Sequence, residues 1–297
     1  MTQARGPYFE GWYFKHQWDG ETLALIPGFF VEKTGERGAF LQVISGRGSW
    51  FLPCPLDQFG CRPDLPAVRI GESLFTPEGV RLHVEGDGLS LHGEIRYGFL
   101  TPPRSDIMGP FRLAPGLECR HTVISLGHSL RGRITLNGES FRLDGGTGYI
   151  EGDRGRSFPK RYTWTQCNTF GNRTCGVMLS AAEIPYMGLR FTGCIASVWY
   201  EGRDIRLATY TGARAAVWEP GRVALVRGET RLEAELLEAA AHPLKAPAIG
   251  RMARTIHEHV RCTVRYRFYQ GGHLCFDRTS PSASFEEDGL ESAPSLR

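Results

Sequence analysis

The chain has 297 residues, 41% of them hydrophobic, 11% aromatic and 23% charged, a globular composition long enough for one large core or two medium ones. Its 35 basic and 32 acidic residues leave a net charge of +3 and lie scattered with no long run of one sign, so the concentrated basic stripe that nucleic acid demands is missing and nucleic acid is not an expected partner. The opening MTQARGPYFEGWYFKHQ lacks the apolar core of a signal peptide and no run approaches the length of a membrane span, which makes the cytoplasm the expected location and leaves only transient contact with a membrane surface.

Eight cysteines, Cys54, Cys61, Cys119, Cys167, Cys175, Cys194, Cys262 and Cys275, read as free and mostly buried thiols in a reducing compartment. No C-x-x-C occurs, so neither a zinc knuckle nor a dithiol redox site is indicated.

Along the chain, glycine and proline punctuate segments that alternate with a period of two, which is strand behaviour. The segment LTPPRSDIMGPFRLAPG, residues 100–116, is too rich in proline for a central strand and is expected to be an ordered crossing loop. In RITLNGESFRL, Ile134 and Leu136 approach an Asn137-Gly138 turn and Phe141 and Leu143 leave it, a hairpin signature. Between residues 190 and 238, short strands separated by EGRD, TGAR, EPGR and RGET suggest antiparallel barrels or sandwiches. In APAIGRMARTIHEHV, Ile249, Met252, Ile256 and Val260 fall at helical spacing, so one short helix is expected there. CTVRYRFYQGGHLCF places Cys262, Val264, Tyr266 and Phe268 on one face before a turn at Gln270-Gly271-Gly272. The Ser-rich tail from residue 279 to 297 is expected to be disordered.

Signatures of nucleophilic, phosphate-binding and metalloprotease sites are absent: there is no G-x-S-x-G, no G-x-G-x-x-G after a strand, no Walker-type loop and no H-E-x-x-H. The pairs His121/His128 and His257/His259 lack metal-ligand spacing, so no metal and no other cofactor is expected. What stands out is GYIEGDRGRSFPKRYTWTQCN, residues 148–168, where Glu151, Asp153, Arg154 and Arg156 sit among aromatic residues. Two readings stand: a solvated loop whose carboxylates pair with Arg154, Arg156 or Lys160, or a pocket in which the carboxyls act on something apolar.

The run PYFEGWYFKH, the segment IMGPF followed by LECRHTVISLGHSL, the central GYIEGDRGRSFPKRYTWTQCN, the pair FTGCIA and RLATYTGA, and the late LKAPAIGRMARTIHEHV together resemble the tocopherol cyclase family, from about Gly6 to about Arg278. That family is related to carotenoid hydratases and double-lipocalin proteins. The resemblance therefore implies an all-β fold of two lipocalin-like antiparallel β-barrels, residues 1–147 and 148–278, the short helix packed beside the second. It implies an intramolecular lyase, an isomerase that closes a prenylated hydroquinol or related isoprenoid into a ring. The alternative is a lipocalin-like protein that binds a hydrophobic or amphipathic ligand without converting it.

Such a cyclisation delivers a proton to a trisubstituted alkene, and a phenol oxygen captures the resulting tertiary cation; it needs no metal or nucleotide. A carboxyl donor must be held neutral by burial or by a second carboxylate. Glu151 and Asp153, two apart on a strand, would share a face and fit that need, with Glu10 as a further candidate acid. Trp12, Tyr13, Tyr149, Phe158 and Trp164 could face a developing cation, at about 1 to 2 kcal/mol each when desolvated, although the same rings are equally core material. Gln166 could hydrogen-bond a quinol hydroxyl, and His121 could be a strand histidine or a proton shuttle. The family run reads Glu-Lys-Asn-Trp-Gly or Glu-Lys-Asp-Trp-Gly, whereas this chain reads Glu151-Gly152-Asp153-Arg154-Gly155. Arg154 replaces a ring with a charge, so it must either turn away from the carboxyls or greet an acidic head group.

Overall fold

The computed structural model describes residues 6–62, 67–170, 175–239 and 242–290. Among these, twelve strands form one sheet and ten another, all described pairings are antiparallel, and no α-helix occurs. The chain divides into two compact units: residues 1–102, 121–157 and 244–255 make the first, and residues 103–120, 158–243 and 256–297 the second.

The first sheet runs, edge to edge, through Gly48–Cys54, Arg37–Ser45, Glu21–Val31, Tyr8–Trp18, Thr147–Gly155, Cys119–Leu136, Leu89–Tyr97, Gly79–Gly86, Ser73–Thr76, Ala67–Ile70 and Phe59–Arg62, with Glu139–Arg142 pairing onto Cys119–Leu136. Its alternate residues build a core that includes Phe14, Leu23, Leu25, Phe75, Leu91, Ile95 and Ile150. Burying each such side chain contributes roughly 1.5 to 3 kcal/mol. Thr147–Gly155 joins Tyr8–Trp18 in the middle of this sheet, so residues 148–157 belong with the first unit and not, as the sequence suggests, with the second.

The second sheet runs through Arg203–Ala208, Leu189–Tyr200, Gly176–Tyr186, Tyr162–Cys167, His273–Asp288, Arg251–Gln270, Thr230–Glu238, Arg222–Arg227 and Arg214–Glu219, with His242–Ala248 pairing onto Arg251–Gln270. Val177, Leu179, Val198, Leu225, Val264, Phe268 and Phe285 lie in its core. Among the described residues neither sheet closes into a barrel, because no pairing there joins the two ends of either path. Hairpin spacing predicts neighbours in a meander, but closure depends on the stagger and tilt of the whole sheet, which local alternation does not encode.

Both hairpins read from the sequence are present. Ile134 pairs with Phe141 and Leu136 with Glu139, across a turn in which Asn137 and Gly138 both have positive φ, 48° and 84°. Gln270 pairs with His273, and Cys262, Val264, Tyr266 and Phe268 are all buried.

The expected helix is a strand hairpin. Ile249 and Gly250 form its turn, with φ of 52° and 77°, and Arg251–Gln270 is one long strand. Ile256, Glu258 and Val260 are buried while Arg251, Ala253 and Thr255 are exposed. The spacing of Met252, Ile256 and Val260 is a multiple of two as well as close to a helical turn, so the pattern fits both elements, and pairing with His242–Ala248 and, from Glu258 on, with His273–Asp288 decides. Nor is the tail from residue 279 disordered throughout: His273–Asp288 is a strand, its serines Ser280 and Ser284 buried and hydrogen-bonded. Residues 291–297 lie outside the described residues. The proline-rich segment is ordered, as expected, and in the second unit the Tyr210 hydroxyl donates to the Ile107 carbonyl at 3.0 Å.

Candidate active site

Cross-strand partners in an antiparallel pair share a face, and successive residues alternate faces. Tyr13 lies opposite Glu151, Gly11 opposite Asp153, Lys15 opposite Tyr149, Trp12 opposite Gly152 and Glu10 opposite Arg154. One face of the Tyr8–Trp18 and Thr147–Gly155 pair therefore carries Tyr13, Lys15, Tyr149, Glu151 and Asp153. The other carries Glu10, Trp12, Gly152 and Arg154.

The first face holds a chain of hydrogen-bonded and ion-paired groups. His121, near the start of the neighbouring strand Cys119–Leu136, sets Nδ1 2.8 Å from Asp153 Oδ1 and Nε2 3.1 Å from Glu151 Oε2. The Tyr149 hydroxyl donates to Glu151 Oε2 at 2.6 Å. Glu151 is buried at 5% exposure and Tyr149 is fully buried. Burial by itself would push the His121 imidazole towards its neutral form, but the charges of Glu151 and Asp153 outweigh it and hold its pKa well above the ordinary value, so the ring is an imidazolium at neutral pH. Burial, with Glu151 behind it, raises the Tyr149 hydroxyl well above its ordinary range, so that proton stays in place.

The three polar residues could also be read as cation ligands, each offering one atom within 4.8 Å of the others. Both imidazole nitrogens face carboxylate oxygens, Nδ1 that of Asp153 and Nε2 that of Glu151. Trio and tyrosine together form one contiguous polar cluster, with His121 between Asp153 and Glu151 and the Tyr149 hydroxyl on Glu151. The sequence set out Glu151 and Asp153 on one face and left His121 undecided between a strand role and a shuttle; the structure brings all three together, with His121 between the acids rather than beside its sequence neighbour His128.

On the opposite face, Trp12 belongs to the hydrophobic core beside Phe14 and Ile150, so it does not share the face of Glu151 and Asp153. Glu10 accepts a hydrogen bond from the Tyr8 hydroxyl at 2.8 Å, and burial raises its carboxyl although Arg154 opposes this. It is a separate acid. Arg154 is exposed and faces Glu10. A Cβ at position 152 would come 3.2 Å from Trp12 Cδ1, a contact that the absent side chain avoids. Both departures from the family run, Gly152 and Arg154, thus fall on the face turned away from His121 and leave the carboxyl face unaltered.

The remaining predicted residues belong to the second unit. Trp164 and Gln166 are buried on Tyr162–Cys167, and Phe158 meets Tyr162 edge-on at 6.0 Å. Sequence reasoning missed two acids here: Glu258 and Glu286 are cross-strand partners, 1% and 7% exposed, and the Tyr162 hydroxyl donates to Glu286. Glu286 is also opposite Trp164. It missed Lys15 as well, 1% exposed. The available signal was FKHQW, three polar residues in a row inside an aromatic strand, which forces polar groups into both faces.

Residues 115–198 match the family model described as tocopherol cyclase-like. The chain is 24% identical over 238 residues to the Oryza sativa subsp. japonica protein named "Probable tocopherol cyclase, chloroplastic", covering 74% of this chain and 49% of that one. It is 28% identical over 177 residues to the Zea mays chloroplastic tocopherol cyclase, covering 53% and 36%. The chain thus spans half or less of the length of these relatives. Among solved structures it is similar to CghA with Sch210972, at TM-score 0.60 and 11% identity over 96% of this chain and 89% of that one. It is also similar to kievitone hydratase from Nectria haematococca, at TM-score 0.51 and 10% identity over 95% and 88%; at such identity these show the fold alone. Among the described residues no helix is long and apolar enough to cross a membrane.

Proposed function

We propose that the chain is a cyclase- or hydratase-type enzyme that adds an O–H group across the alkene of a prenylated hydroquinol or related isoprenoid. The observation that carries this reading is the relay from Asp153 through His121 to Glu151, with Tyr149 fixing the last carboxyl. With an imidazolium between two carboxylates the trio carries one net negative charge, and one further proton makes it neutral and able to donate. Protonated Glu151 delivers that proton to the alkene carbon, forming a C–H bond. The phenol oxygen attacks the tertiary cation, forming the C–O bond, and its proton passes to the other end of the relay at Asp153. His121 transmits the proton between its two nitrogens, so ring closure leaves the relay as it began and no cofactor is consumed. Arg154, exposed and set on the far face, does not compete for these carboxyls, which supports catalysis over capture of an anionic head group.

The binding reading, a lipocalin-like carrier without turnover, draws on the same ion pairs, since a clamped histidine is also a stabilising device. Incubation with a panel of prenylated hydroquinols separates the two: cyclisation shifts retention with mass unchanged, hydration adds the mass of water, and a binder returns the compound intact. Glu151→Gln and Asp153→Asn should abolish turnover and leave ligand affinity largely intact, because each amide keeps shape and loses the transferable proton. Full turnover by both variants on a substrate the parent converts would remove these residues from the mechanism and transfer the acid role to Glu10.

A further inference from the structure

The second unit exposes an apolar patch that its core does not account for. The hairpin from Gly176–Tyr186 to Leu189–Tyr200 turns at Met187 and Gly188, with φ of 51° and 81°, and Tyr186 pairs with Leu189. Two positive φ values in a two-residue turn favour Asn-Gly or Asp-Gly. This chain instead holds a methionine there, 85% exposed, followed by Leu189 at 74%. Stacking of Phe111 on Phe191, centroids 6.2 Å apart and planes at 26°, brings the Gly109–Leu113 turn to the same hairpin. That turn adds Leu113, 75% exposed.

The two segments read Phe111-Arg112-Leu113 and Leu189-Arg190-Phe191. In each, the phenylalanine is spent on the stack, the leucine stands in water, and the arginine is exposed. Arg190 reaches Glu183 at 2.7 Å, so one acid partly balances the two guanidinium groups. Single exposed aliphatics are ordinary, but three around one ring stack, interleaved with arginines, make the composition of a bilayer-interface element. Its apolar side chains enter the acyl boundary while arginines reach lipid phosphates.

We propose that this hairpin tip and the adjoining turn dock on the surface of an anionic phospholipid bilayer. Charge complementarity favours that occupant over a second copy of the chain, because a two-fold contact through this patch would bring the same arginines together. The proposal is independent of the chemistry assigned to His121, Glu151 and Asp153.

The test is co-sedimentation of the full chain with vesicles of phosphatidylcholine and phosphatidylglycerol in equal parts, and with vesicles of phosphatidylcholine alone. The parent should sediment with the mixed vesicles and be partly released by salt. Met187→Asn combined with Leu189→Thr should weaken partitioning about tenfold or more, and the Asn-Gly turn it creates keeps the hairpin, so the loss cannot be ascribed to unfolding. Arg112→Gln with Arg190→Gln should remove the preference for mixed vesicles. A parent that sediments with neither vesicle or equally with both would overturn the proposal. So would a Met187→Asn and Leu189→Thr variant that binds as well as the parent, or a parent found by analytical ultracentrifugation to be a dimer that this variant breaks.

Discussion

Replacing His121 with glutamine removes a buried cation from between two carboxylates while keeping hydrogen-bonding capacity, and its effect can be worked from the geometry. The ring is 2.8 Å from Asp153 and 3.1 Å from Glu151, with side-chain exposures of 14% for His121, 7% for Glu151 and 23% for Asp153. Breaking a buried ion pair by removing one partner costs roughly 3 to 5 kcal/mol. Partial exposure of Asp153 and the retained amide place the expected loss near the low end, about 3 kcal/mol at neutral pH. The pH dependence gives the sharper test. His121 has a folded pKa raised above its unfolded value of about 6.5, so its contribution is fully present below pH of about 6.5 and is lost as pH rises through the raised folded value. Urea denaturation of parent and His121→Gln, in mildly acidic, neutral and increasingly alkaline buffers, should show a stability gap that is widest at the acidic end and closes under alkaline conditions. A gap that is negligible at neutral pH, or that widens as pH rises, would refute the imidazolium assignment and with it the relay.

Burial lowers His16 to about 4 and His128 to about 3; the unfolded chain binds more protons than the folded one below a pH of about 6.5, so stability should fall as pH drops from there towards these values. His16→Gln should remove part of that fall, on the order of 3 kcal/mol by pH of about 4, measured as the difference between parent and variant urea midpoints across that window. Gly148→Ala would place a Cβ 2.3 Å from His128 Nε2 in a buried strand and should cost about 1 to 3 kcal/mol, whereas Gly152→Ala, 3.2 Å from Trp12, should cost less; thermal unfolding of the pair ranks them. Met187→Asn alone should stabilise the second unit by about 0.5 kcal/mol, by putting a side chain that tolerates positive φ at the hairpin turn; a lowered melting temperature would contradict the turn assignment.

What the sequence by itself determined was local. Alternation along RITLNGESFRL and CTVRYRFYQGGHLCF placed both hairpins, because the turn residues and the buried faces lie within a few positions of each other. The same alternation put Glu151 and Asp153 on one face without knowledge of any other strand. The tertiary structure decided what lay across that face. His121 is thirty residues from Glu151 in sequence, and nothing in its surroundings distinguishes it from His128 until Cys119–Leu136 and Thr147–Gly155 become neighbours in a sheet. Pairing register likewise put Trp12 and Glu10 on the wrong side for the proposed chemistry, a difference of one residue in a period of two. The segment around Met252, Ile256 and Val260 shows the same limit from the other direction: its spacing satisfied helix and strand equally, and the strands it pairs with, His242–Ala248 and, from Glu258 on, the distant His273–Asp288, selected between them. Partner strands fix register, closure and the grouping of charges because those depend on backbone pairing between segments far apart in the chain, which a local hydrophobic pattern cannot specify.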